Sequence, residues 1–147
     1  MYPVKIISHP ESSQMFVSLS IKYCLAVFIA GIGIYQLAAG RSNLKGVLFF
    51  QSKLWTYILG CITIIPSLYY FFSWNYRNAT GIIEGSQQAG LFVGSMAAAL
   101  LITLFVSSWL NHSRLPVAKA CDTGIEALRT ATFLQALRRR YGANFED

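Results

Sequence analysis

Residues 85–113 read GSQQAGLFVGSMAAALLITLFVSSWLNHS, an unbroken run of 29 positions without Lys, Arg, Asp or Glu. A helix of roughly 20 such residues crosses a hydrocarbon core of about 30 Å. This run predicts a membrane span over about 84–110, with its ends in the interfaces and Trp109 at one boundary.

Two more runs lie N-terminal to it. Tyr23–Gly40 is uncharged for 18 residues, and Leu54–Tyr76 for 23. They predict spans near 16–39 and 50–74. Lys22 falls inside the first span and must snorkel or find a partner. Val47–Phe50 start the second helix early or lie at the interface. Pro66 sits well inside the second span, removes a backbone donor and is expected to kink it. Trp55 and Tyr57 at one end, and Tyr69, Tyr70, Trp74 and Tyr76 at the other, suit the two water–lipid boundaries.

The whole composition agrees. Of 147 residues, 54% are hydrophobic and 12% charged, with mean hydropathy +0.46. Soluble domains carry about 25% charged residues. A soluble enzyme, a disordered tail and a fibrous repeat are disfavoured. The fold expected is all-α and membrane-embedded. It comprises a short N-terminal segment (1–14), a three-helix membrane domain (15–113) and a C-terminal tail (114–147). The N-terminal segment lacks the signature of a cleaved signal peptide, so the first span reads as retained.

Orientation follows from Lys and Arg in the short flanks. Arg41, Lys45 and Lys53 bound the first loop, and Arg114 and Lys119 follow the third span. The second loop has Arg77 alone. This places the N-terminus outside and the C-terminus on the cytoplasmic or equivalent inner side. The net charge of +6 is then a topology signal, not a nucleic-acid footprint.

Lys22 and Glu84 are expected at similar depth near the outer ends of the first and third spans. They read as a helix–helix ion pair, or as two separately snorkelling groups. Glu84, Gln87 and Gln88 share one helical face that becomes apolar at Leu91, so it does not line a pore through the bilayer. Gly90, Gly94 and Ala98 form a ladder of small residues that favours close helix approach. The third helix is therefore expected to be the most tightly packed, with Gly94→Leu more disruptive than Leu104→Phe.

No catalytic or metal-ligating constellation emerges. His9 and His112 fall on opposite sides of the expected topology. Cys24 and Cys61 lie in apolar runs and Cys121 in the tail, with no CxxC pair. Neither a phosphate loop nor a GxSxG elbow is present. Ser107, Ser108 and Thr103 read as intramembrane hydrogen-bonding groups. No cofactor is expected; bound lipid is the one small-molecule component this reading allows. The sequons at Asn78 and Asn111 are expected to stay unmodified.

In the tail, Thr123 and Glu126 resemble a capping box, predicting a helix near 124–141. Arg138, Arg139 and Arg140 stand near its C-terminal end, where they complement the helix dipole and suit anionic headgroups or a protein surface. The function expected is a non-catalytic accessory subunit of a larger membrane complex, with membrane subunits and lipids as partners. The alternatives are a small transport component acting through Glu84, and an enzyme or electron-transfer subunit whose site is shared with another chain.

Overall fold

The computed structural model describes residues 9–78, 83–115 and 124–142, and among them every regular element is helical. Helix α1 spans His9–Arg41, α2 Lys53–Phe72, α3 Trp74–Arg77, α4 Gly85–Asn111 and α5 Phe133–Gly142, with a 3₁₀ turn at Gly124–Arg129. Three helices, α1, α2 and α4, are long and apolar enough to cross a membrane.

Helix α1 is 33 residues long, about 50 Å at 1.5 Å per residue. It begins two turns before the expected span. Pro10 falls in its first turn, where a missing N–H leaves no hydrogen bond broken. At the other end Asn43 takes a left-handed conformation with φ 54°. Leu44 N–H donates to Ala39 O at 2.9 Å and Asn43 N–H to Gly40 O at 3.4 Å. This is a Schellman stop, with asparagine in the place glycine usually holds.

Helix α2 continues through Pro66. One turn earlier Thr63 Oγ1 donates to Leu59 O at 2.9 Å, and Ser67 Oγ donates to Thr63 O at 2.8 Å. These side-chain bonds tie the backbone on either side of the proline. Val47–Phe50 do not start this helix, as one reading of the sequence had it; they form a loop. Helix α4, Gly85–Asn111, falls within a residue of its expected bounds.

The three long helices form a layer. Helix α1 is central and packs along α2 on one side and α4 on the other, while α2 and α4 make no comparable contact. Glycine sets both seams. A Cβ at Gly33 would overlap Thr63 and lie 3.0 Å from Ile64 Cγ1, and one at Gly40 would lie 3.1 Å from Thr56 Cγ2. Toward α4, a Cβ at Gly31 would come within 2.9 Å of Ala99 Cβ and 3.1 Å of Met96 Sδ. Tyr35 Oη donates to Met96 O at 3.2 Å across the same seam.

The stripe α4 buries is Ser95, Ala99, Thr103, Ser107 and Asn111, spaced by four and therefore on one face. Gly90, Gly94 and Ala98 are exposed, and a Cβ on either glycine would meet no atom within 4 Å. Among the described residues the expected ladder thus packs against no other helix of the chain. The close approach of α4 to α1 uses a neighbouring register, one in which α1 supplies the glycine.

The single C-terminal helix expected over 124–141 is two elements. The 3₁₀ turn ends at Arg129, and α5 starts at Phe133 with its own capping box. Thr132 N–H donates to Gln135 Oε1 at 3.1 Å, and Gln135 N–H to Thr132 Oγ1 at 3.3 Å. Thr123, Cys121, Lys119 and the N-terminal eight residues lie outside the described residues.

Candidate functional site

Two places concentrate what this chain can do: a clamped loop at the basic end, which carries Arg41, Lys45 and Lys53, and an open groove between α1 and α4.

The loop 42–52 is held by two buried carboxamides, one on each neighbouring helix. Gln36, on α1, is fully buried. Its Nε2 donates to Val47 O at 3.0 Å, and its Oε1 accepts from Phe49 N–H at 2.9 Å. Asn111, in the last turn of α4, is equally buried. Its Nδ2 donates to Leu48 O at 2.6 Å and to Ser107 O at 2.9 Å, while its Oδ1 accepts from Gln51 Nε2 at 2.9 Å. Each of three consecutive loop residues thus has one peptide group, Val47 O, Leu48 O or Phe49 N–H, satisfied by a side chain, as buried backbone requires. Freed from water, Val47 and Leu48 pack with Ala39, Leu44, Leu104 and Leu128.

The C-terminal segment folds back onto this loop. Gly46 N–H donates to Leu128 O at 2.9 Å, and Leu134 N–H donates to Ser108 Oγ at 3.3 Å. A Cβ at Gly46 would overlap the Ala131 carbonyl. Part of the tail's apolar surface is therefore spent on its own chain. The remainder, Ile125, Leu134 and Leu137, stays exposed.

At the opposite end Asn78 makes a similar clamp. Its Nδ2 donates to Ile83 O at 2.8 Å and its Oδ1 accepts from Ile83 N–H at 3.1 Å. Ile83 is thereby pinned into a cluster with Tyr23, Val27 and Trp74, whose Tyr23 and Trp74 rings lie 4.6 Å apart. Arg77 stacks over the Tyr70 ring at 4.5 Å.

Lys22 and Glu84 are both exposed, and among the described residues the one ion pair is Arg129–Glu126 at 3.0 Å. Of the two arrangements expected for Lys22 and Glu84, the ion pair is not formed among the described residues. Glu84 instead occupies the N-cap of α4, and its N–H donates to Gln87 Oε1 at 3.2 Å. Gln87 is thus a helix cap, and Gln88 is half-buried beside it. Among the described residues no three His, Cys, Asp or Glu side chains gather as a metal site.

The groove is the outward feature. It has a volume of about 440 Å³ and runs between Cys24, Leu25 and Phe28 of α1 and Gly90, Gly94 and Ala98 of α4. On the α4 side backbone is bare at Gly90 and Gly94, while Leu91, Ser95 and Ala98 line the rest. Of the expected site residues, Gly90, Gly94 and Ala98 are brought together here; Glu84 and Gln87 meet at the helix cap; Arg138 is exposed on α5. The side chains of Arg139 and Arg140 lie outside the described residues.

Gln36 has no role in the reading of the sequence above, and Asn111 enters it only as a sequon. A signal existed: Gln36 is the one carboxamide in the run Tyr23–Gly40, and an amide in so apolar a run needs a partner. No family model, curated protein or solved structure matches this chain.

Proposed function

We propose that this chain is a non-catalytic accessory subunit of a larger membrane complex, and that the α1–α4 groove receives a helix of a neighbouring subunit. One observation carries the reading. Gly90 and Gly94 present bare backbone along an exposed apolar groove, and among the described residues nothing fills it. Small residues at four-residue spacing let a second helix approach closely, gaining dispersion contacts that lipid tails fill less well. The flat α2–α1–α4 layer adds support, since its faces leave many large apolar side chains uncovered.

In this reading the three long helices span the bilayer, with α2 bent at Pro66. The loop 42–52 and the C-terminal segment lie on the inner side, where Arg41, Lys45, Lys53 and Arg114 gather, and the N-terminus lies outside.

The test is the size and composition of the particle extracted from the native membrane in mild detergent. Wild-type protein should elute with other subunits in fixed ratio. Gly94→Leu, which fills the groove, should release the chain, whereas Val93→Leu on the adjoining exposed position should not. A monomer or a pure homo-oligomer in the wild type would overturn the reading and bring transport forward.

A further inference from the structure

We propose that the basic end is a docking surface for anionic phospholipid headgroups, with α5 lying along the headgroup layer. This rests on the membrane-spanning reading but not on a partner subunit. Three independent observations meet there.

The first is depth. Leu134, at the start of α5, is hydrogen-bonded through its N–H to Ser108 Oγ. The next residue of α4 is Trp109, which is 81% exposed. Exposed tryptophans near the ends of apolar helices mark the water–lipid boundary. Trp55, also exposed, stands at the start of α2 at this same end. The bond to Ser108 therefore holds α5 at interfacial depth instead of out in water.

The second is charge. Arg41, Lys45, Lys53, Arg114, Arg129 and Arg138 are all exposed at this end, and the one described carboxylate among them, Glu126, is paired with Arg129. Over the whole sequence from 41 to 53 and from 114 onward, nine Lys and Arg face four Asp and Glu. The surplus is the same by either count. A bilayer with acidic lipids attracts such a surplus at a depth where side chains reach the phosphates.

The third is the apolar face that the fold leaves open. Leu134 and Leu137 are three apart on one side of α5 and stay about 40% exposed, while Leu128 and Ala131 are spent on the loop. Arg138 follows Leu134 by one turn and flanks that face. Leucines that enter the acyl boundary beside arginines that reach phosphate are the pattern of an interfacial helix. An acidic soluble protein would satisfy the charges but would not require the Trp109 register.

The full-length chain reconstituted in nanodiscs of phosphatidylcholine, or of phosphatidylcholine with phosphatidylglycerol of the same acyl chains, tests this. Native mass spectrometry reads retained lipid, and hydrogen exchange reads the α5 amides. Phosphatidylglycerol should be retained over phosphatidylcholine by roughly tenfold at low salt, falling as salt rises. Amides of α5 should exchange more slowly in the anionic discs. The variant Arg41→Gln/Lys45→Gln/Arg138→Gln, altering only exposed groups, should sharply reduce both effects without lowering the melting temperature. Equal retention of the two lipids, or a preference undiminished in the triple variant, would overturn the proposal. So would α5 protection that needs an added acidic subunit and ignores the lipid. Failure to enter either nanodisc would overturn the spanning reading together with this one.

Discussion

Asn111 and Leu48, 63 positions apart in sequence, are joined by a 2.6 Å hydrogen bond from Nδ2 to the loop carbonyl. One residue on either side of Leu48, the carbonyl of Val47 and the N–H of Phe49 are held by Gln36. Two helices thus grip one short strip of backbone from opposite sides. The grip is what allows a loop to be buried between α1 and α4 at all.

Removing either amide leaves buried peptide groups without partners. Asn111→Leu and Gln36→Leu should each lower stability by about 2–3 kcal/mol, as expected for unsatisfied buried groups. Unfolding in detergent, followed by circular dichroism, measures it. The two losses should not add, because both variants free the same strip of loop.

Gly46→Ala should detach the tail while sparing the spans. Its Cβ would lie 2.9 Å from the Ala131 carbonyl carbon and 3.0 Å from Leu128 O, both backbone atoms that no side-chain rotation relieves. Limited proteolysis should then cut near 124–142 much faster than in wild type, with unchanged helical signal from α1, α2 and α4.

Thr103 is fully buried in α4, and its Oγ1 has no hydrogen-bond partner among the described residues. Thr103→Val keeps the branched shape and removes an unsatisfied hydroxyl, so it should be neutral or stabilising by up to about 1 kcal/mol. Thr103→Ala should destabilise by about 1 kcal/mol through lost packing. Melting temperatures of the two variants separate these effects.

Gly31 on α1, which faces the buried stripe of α4, and Gly94 on the exposed ladder should respond oppositely. Gly31→Leu collides with Ala99 and Met96 and should cost about 1–3 kcal/mol of the isolated chain's stability by overpacking. Gly94→Leu meets open space and should leave the isolated chain's melting temperature nearly unchanged, contrary to the sequence expectation that ranked it as disruptive.

That contrast also shows what the sequence could and could not reveal. The three long apolar helices were legible because long uncharged runs have few alternatives, and α4 lies where the run at 85–113 implied. The packing register was not. Gly90/Gly94/Ala98 and Ser95/Ala99/Thr103/Ser107 are adjacent stripes with the same spacing, and a glycine ladder invites the closer approach. It is α1, through Gly31, that decides which stripe faces inward, and that choice is invisible within α4. The loop 42–52 was unreadable for a related reason. Val47–Phe50 resemble the start of an apolar helix, and only amides 11 and 63 residues away in sequence hold them otherwise. The break in the tail was readable: Thr132 and Gln135 are a capping box in plain spacing, overshadowed by Thr123 and Glu126 nine residues earlier.

A foreign helix seated in the α1–α4 groove would be captured by photo-crosslinking in the native membrane, with the reactive side chain placed at Ala98 in the groove or at Ile62 on the exposed face of α2. A discrete adduct with one different membrane protein is expected from Ala98, lost in Gly94→Leu and not obtained from Ile62. Adducts from Ala98 with lipid alone, or with a second copy of this chain, would rule the foreign helix out.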